Sequence, residues 1–153
     1  MTKYWLCVAN EVNWEKVQKL NTWGIRARFR KLIEQVKLGD ELVFYVKPKR
    51  IGGIFKVVSN SYEDHKKIFS TKGFRGGDRE TFPLRIRLEK VTIPKDFLPF
   101  EQLISKLSFI ANKEKWGGYL LGRALISISE GDYNAMKAAV QHMQYSSDIS
   151  FVH

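Results

Sequence analysis

The run E-L-V-F-Y-V from Glu41 to Val46, the basic quartet Lys47-Pro48-Lys49-Arg50, and I-G-G-I-F-K-V-V from Ile51 to Val58 decide the architecture. Glu41 to Val46 and Ile54 to Val58 are apolar, β-branched and aromatic, the composition that fits a half-buried pleated surface. The two runs read as antiparallel strands with a basic hairpin tip, set apart by Lys47 to Arg50 and by Gly52-Gly53. Upstream, Tyr4 to Ala9 reads as a short buried strand. Asn10 and Asn13 follow as helix N-caps before an apolar stripe at Trp14, Val17 and Leu20, and this helix ends near Asn21. After Trp23-Gly24, the spacing of Ile25, Phe29, Leu32, Ile33 and Val36 predicts a second amphipathic helix. Its exposed face carries Arg26, Arg28, Arg30, Lys31 and Lys37.

Downstream of the hairpin, Asn60 to Glu80 is polar and ends in K-G-F-R-G-G-D-R, so a long basic loop is expected there. Leu84, Ile86 and Leu88 alternate with Arg85, Arg87 and Glu89, the two-residue period of a strand with one face on the core and one in water. Val91 and Ile93 extend it and Pro94 stops it. Pro99 opens a short helix through Leu103 and Leu107, Ser108 to Ile110 reads as a further strand, and Trp116-Gly117-Gly118-Tyr119 as a tight bend. A last strand is expected over Ala124 to Ile128. Ser129 and Asp132 then cap a final helix whose apolar stripe is Tyr133, Met136, Val140 and Met143. Five or more strands with inserted helices and no regular βαβ alternation predict an α+β domain, a small mixed or antiparallel barrel with helices outside, in one domain over residues 1–153.

The chain has 153 residues, 44% of them hydrophobic, with 26 Lys and Arg against 16 Asp and Glu. That length suffices for a core without disulfides or a structural metal. No apolar stretch approaches the roughly 20 residues of a membrane span, and the start M-T-K-Y-W-L-C-V lacks the pattern of an export signal. With a single cysteine, Cys7, a reducing compartment is expected, and the cytoplasm is the reading. A formal charge of +10 makes a polyanion the first partner to consider, since Lys and Arg neutralise phosphates.

Catalytic chemistry finds little support. His65, His142 and His153 stand at no metal-ligand spacing, so neither metal nor cofactor is expected. There is no nucleophile elbow and no phosphate-cradling glycine motif. The pairs Asp40-Glu41 and Glu63-Asp64 sit at turns and read as solvated surface. The positive signal is the combination of aromatic and basic residues around Trp23. A base stacked on such a ring gains about 1–3 kcal/mol, and an asparagine amide can read a base edge. From these features alone core packing is the favoured reading of Trp23, and helix capping is an equally ordinary reading of Asn10 and Asn13.

The segments Y-W-L-C-V-A-N-E-V-N-W (Tyr4 to Trp14), T-W-G-I-R (Thr22 to Arg26), G-D-E-L-V-F-Y-V (Gly39 to Val46) and I-G-G-I-F-K-V-V-S (Ile51 to Ser59) resemble the EVE domain family. K-L-S-F-I (Lys106 to Ile110) and K-W-G-G-Y-L-L-G (Lys115 to Gly122) fit the same family. The resemblance implies a PUA-like mixed β pseudo-barrel with surrounding helices, similar to the YTH domains that read methylated adenine in RNA. It implies binding of a modified base of RNA or DNA in an aromatic pocket, and no catalysis. Trp23 falls at the cage tryptophan, Asn13 at the polar base contact with Asn10 beside it, and Gly24 where the backbone approaches the ligand. Phe69, in the poorly matching loop, is the positional assignment for a second wall. Trp116, Tyr119 and Arg123 lie in a family-matching motif and are second-rank candidates for the pocket lining.

The resulting expectation is a non-catalytic reader that holds one unpaired or flipped base. Phosphates would lie along Arg26, Arg28, Arg30 and Lys31 and the tip residues Lys47, Lys49 and Arg50. Two competing classes are an enzyme acting on a modified nucleoside, for which Cys7, Asp78 or His65 would have to reach the ligand, and a basic module docking an acidic protein.

Overall fold

A computed structural model of the chain describes residues 2–71, 81–110, 120 and 123–150, with side chains described as far as Met143. Strand β1 (Tyr4–Ala9) leads into helix α1 (Glu11–Leu20) and strand β2 (Thr22–Ile25). A 3-10 turn and the one-turn helix α2 (Arg30–Ile33) precede β3 (Glu41–Val46) and β4 (Arg50–Val57). The short strand β5 (Tyr62–Glu63), the long β6 (Leu84–Thr92), the short β7 (Leu98–Pro99) and β8 (Leu125–Ile128) complete the strands, and helix α3 (Glu130–Ser150) follows.

The strands hydrogen-bond in the order β2-β6-β4-β3-β1-β8, with β5 also on β6 and β7 also on β4. β1 and β3 run parallel, with Trp5 opposite Leu42 and Cys7 opposite Phe44; the other pairs are antiparallel. The parallel pair is separated in sequence by α1, β2 and α2, the long crossover such a pairing requires. The mixed sheet curls into a half-barrel with helices against it, the α+β architecture expected.

Both faces of the central strands are covered, so their sequences are apolar throughout instead of alternating with polar residues. Trp5, Cys7 and Ala9 of β1, Leu42, Phe44 and Val46 of β3, and Phe55 of β4 share one core with Trp14 and Val17 of α1 and Trp23 and Ile25 of β2. Leu6, Val8, Val43, Tyr45, Ile51 and Ile54 face the opposite way, onto Tyr133, Met136 and Val140 of α3. Between β3 and β4 the register slips, Phe44 facing Gly53 while Tyr45 faces Ile51. Gly52 is the extra residue. A Cβ there would lie 2.6 Å from the Trp14 indole, so the ring rests directly on bare backbone.

Several expectations are corrected. Ile25 belongs to β2, paired with Leu84, and only Arg30–Ile33 of the expected second helix is α-helical. Strand pairing of Thr22 to Ile25 with β6 overrides the helical spacing of its apolar residues. The Gly52-Gly53 pair lies inside β4. Pro99 opens two 3-10 turns, not a helix, and Ser108 to Ile110 is no strand: the Ser108 N–H and hydroxyl both donate to the Asp132 carboxylate, at 2.8 and 2.7 Å. Asp40 is not surface but 1% exposed, accepting from the Trp5 indole at 3.0 Å and from the N–H groups of Lys3 and Lys37. The first helix does end at Asn21, which takes the left-handed conformation (φ 50, ψ 41) that asparagine tolerates. Ser129 accepts from the Asp132 N–H at 3.1 Å at the start of α3, as its spacing predicts.

Candidate nucleic-acid interface

Asn10 caps α1, its side-chain oxygen accepting from the Asn13 N–H at 2.7 Å. Asn13 thereby sits in the first turn with its amide turned away from the cap, and it is 6% exposed. That amide makes two bonds to a single residue: Nδ2 donates to the Ser70 carbonyl at 3.0 Å, and Oδ1 accepts from the Ser70 N–H at 2.6 Å. A donor and an acceptor side by side are thus matched to the peptide of a chain segment 57 residues away.

Trp23 and Gly24 are consecutive on β2 and therefore point to opposite sides of it. Trp23, opposite Ile86, is buried at 3% exposure, its ring edge-on to Phe44 with centroids 5.5 Å apart. Gly24, opposite Arg85, faces the other way. A Cβ on Gly24 would stand 2.6 Å from the Phe82 carbonyl oxygen and 2.9 Å from Cε2 of Phe69. Phe69 is itself buried and edge-on to Phe82. The structure thus seats Phe69 over Gly24, next to Ser70 and Asn13, while Trp23 meets Phe44 from the opposite side of the strand.

Arg85 holds this arrangement together. The strand period places it on the solvent side of β6, yet it is 2% exposed. Its Nε donates to the Phe82 carbonyl at 3.2 Å, and Nη2 donates to the Thr81 carbonyl at 3.2 Å and to that of Lys66. Nη1 lies 3.3 Å from the Asp64 carboxylate, and the guanidinium is 5.5 Å from the Phe69 ring centre. A buried guanidinium is tolerable only when its donors are taken up this way. The segment 64–71, hereafter the strap, is therefore tied to Arg85 near its start and to Asn13 near its end. Just before it, Glu63 bonds Arg30 at 2.6 Å and His65 at 2.9 Å, and these two partners hold its carboxyl below its ordinary range. Asp64 is lowered too, first by the N–H of Lys66 and then by Arg85.

The basic candidates fall into two groups, one at the hairpin tip and one around α2. The hairpin tip meets the end of β1 and the start of α1: the Lys47 N–H donates to the Ala9 carbonyl at 2.9 Å, and Arg50 lies 3.5 Å from Glu11. Arg26 is half-buried, whereas Arg28, Arg30 and Lys31 are exposed, with Arg28 over the Phe29 ring. Arg30 lies on Glu63, Lys49 on Glu101 at 3.7 Å, and Arg50 on Glu11. Arg123 is exposed, and Trp116 and Tyr119 lie outside the described residues.

For the competing chemistry, Cys7 is buried, which pushes its thiol well up from the ordinary value and away from thiolate reactivity. His65 is exposed and bonded to Glu63, and Asp78 lies outside the described residues. Among the described residues no three His, Cys, Asp or Glu side chains are grouped to hold a metal, and no helix is long and apolar enough to cross a membrane. Sequence reasoning missed Arg85 and Ser70. The first hides in an alternating strand pattern, and the second acts through its backbone, which leaves no mark in residue type.

The family model of the EVE domain matches residues 3–139. The chain belongs to the EVE domain family. Its relatives include a UPF0310 protein of Pyrococcus abyssi, 42% identical over 88% of this EVE domain chain and 97% of the relative. Another UPF0310 protein, of Pyrococcus horikoshii, is 35% identical over 88% and 96%. Among solved structures, a hypothetical protein from Leishmania major matches this EVE domain with a TM-score of 0.65 at 18% identity, over 94% of this chain and 98% of the other. The Mmi1 YTH domain, solved in complex with RNA, matches with a TM-score of 0.62 at 12% identity, over 92% and 79%. These last two likenesses are likenesses of fold.

Proposed function

We propose that this EVE domain is a non-catalytic reader of nucleic acid that holds one unpaired or flipped base, modified bases being the preferred class. The observation that carries the reading is the Asn13 amide. A buried donor–acceptor pair beside the bare backbone of Gly24 contributes to no strand or helix ladder, and it has the form that reads a base edge. The RNA in the complex of the similarly folded Mmi1 YTH domain supports the ligand class. Stacking on the Trp23 ring is worth about 1–3 kcal/mol per base, which offsets part of the few kcal/mol of taking a base out of a duplex. Phosphates then run past Arg28, Arg30 and Lys31 on one side and the Lys47 to Arg50 tip on the other. Asn10 acts through its cap, which orients Asn13.

The test is titration of labelled single-stranded RNA and DNA oligomers, plain and with one modified base, at several salt concentrations. Wild type is expected to prefer one modified oligomer, and Trp23→Phe or Asn13→Ala to lose that preference while keeping the salt slope of roughly 0.7 per phosphate contact. Equal losses for every oligomer would mean that both residues serve only the fold. Salt-abolished binding without base preference would leave a basic surface and no reader.

A further inference from the structure

In the structure the base site assigned above is already filled. The Ser70 peptide offers Asn13 an N–H and a C=O, the complement of its amide oxygen and nitrogen, as the edge of a nucleobase would. Phe69, the adjacent residue, lays its ring against Gly24 where the backbone is bare. A planar ring and a donor–acceptor edge thus come from one dipeptide, the ring buried and Ser70 half-buried. Besides the packing of Phe69 on Phe82, the dipeptide is held by polar ties at and just before the start of the strap: Asp64 and the Lys66 carbonyl on Arg85, and Glu63 on Arg30.

We infer that Phe69-Ser70 is a resident occupant of the base site, a competitor built into the chain, and that a ligand binds only when the strap withdraws. This rests on the reader reading above and adds two consequences. The first concerns affinity: the apparent dissociation constant is the intrinsic one divided by the fraction of molecules with the strap out, so loosening the strap tightens binding. The second concerns ligand class. What replaces the Ser70 peptide must present an N–H donor beside an acceptor on one edge. A base whose exocyclic amine carries one methyl keeps that edge, and one whose amine carries two methyls has lost its donor.

Two variants loosen the strap without altering Asn13, Gly24 or Trp23. Ser70→Pro removes the N–H that Asn13 accepts, and Asp64→Ala removes the carboxylate on Arg85. Each is expected to bind the preferred single-stranded oligomer roughly 2- to 10-fold more tightly than wild type, the weight of one hydrogen bond, with the salt slope unchanged. Hydrogen exchange supplies an independent readout. In wild type the backbone amides of 64–71 are expected to exchange faster once the oligomer is bound, since ligand and strap exclude one another. Weaker binding by both variants, or slower exchange of 64–71 on binding, would show the strap to be a wall that closes on the base, and would overturn this inference while leaving the reader intact. Failure of wild type and both variants alike to prefer any base would overturn the reader itself and this inference with it.

Discussion

Among the described residues, Gly52 and Gly24 each carry an aromatic ring close against the backbone, at Gly24 beside the Phe82 carbonyl, and the two contacts differ in what holds the ring. At Gly52 the ring is the Trp14 indole, borne by α1 and surrounded by Phe44 and Phe55, with ring centres 5.3 and 5.8 Å away. At Gly24 the ring is Phe69, borne by a segment without regular structure. It packs into the same core, edge-on to Phe82, but the segment that bears it is held by polar ties from Asn13 and Arg85 to the strap backbone. Apolar packing inside a sheet and helix core is lost only when the core opens. Polar ties at the edge of the sheet can be exchanged for equivalent ones from a ligand or from water, so the same close contact is structural in one place and displaceable in the other.

The largest expected effect breaks the first contact. Trp14→Ala leaves a cavity in a fixed core and is expected to lower stability by about 3–5 kcal/mol in denaturant unfolding. Gly52→Ala, which drives a methyl into the same ring, is expected to cost about 1–3 kcal/mol. Phe69→Ala is expected to cost less than about 2 kcal/mol, because the cost of truncation depends on how well the site can collapse and the strap can shift to fill it. Equal losses for Trp14→Ala and Phe69→Ala would remove the distinction between the two regions.

The legibility of the sequence follows the same division. β1, β3, β6 and α3 were readable because apolar runs, a two-residue alternation and the Ser129 cap are local patterns. The short β5 was not, because Tyr62-Glu63 gains strand geometry only from Arg85 and Leu84 across the ladder. The segment 25–36 misled because its apolar spacing suits a helix, while Ile25 is taken by a strand pair and Ile33 and Val36 are buried without continuous helix between them. At the candidate site, Trp23, Asn13 and Gly24 came from family resemblance, whereas the residues alone favoured core packing for Trp23, and its ring is indeed buried in the core. Arg85 was invisible because its burial is created by the strap and the chain around Phe82, neither of which has a sequence period. Asp40 misled for a similar reason: its partners are one indole and two backbone N–H groups, not neighbouring side chains.

The next effect in size separates the strap from the sheet. Arg85→Met keeps the stem of the side chain but deserts the Lys66, Thr81 and Phe82 carbonyls, and an expected loss of about 1.5–3 kcal/mol corresponds to one charge-assisted hydrogen bond not replaced by water. The loss should appear first as proteolytic cleavage within 64–71, before the β3–β4 core becomes accessible. Arg85→Lys is expected to behave like Arg85→Met, since one ammonium cannot span three carbonyls and a carboxylate as the planar fork does. Rescue by lysine would reduce the role of Arg85 to its charge.

The smallest effect titrates the strap. Glu63 and Asp64 are both lowered from their ordinary values of 4.5 and 3.8, Glu63 by His65 and Arg30 and Asp64 by the Lys66 N–H and Arg85. Depressed carboxyls contribute stability that is fully present above their unfolded-state values and is lost as the pH falls through the folded ones. For these two carboxyls the window therefore lies at and below the ordinary carboxylate range. Both groups are exposed, so salt screens them and the effect belongs to the strap alone. Limited proteolysis or amide exchange of 64–71 is expected to quicken on acidification through that window, and Glu63→Gln to show the quickened behaviour already at neutral pH. The contact of Trp14 with the Gly52 backbone is apolar, although Glu11, Glu15, Lys95 and Asp96 line the space beside it, and the amides of Gly52 and its ladder partners are expected to keep their protection through this titration. Parallel loosening of both regions in acid would mean that the strap opens only with the core.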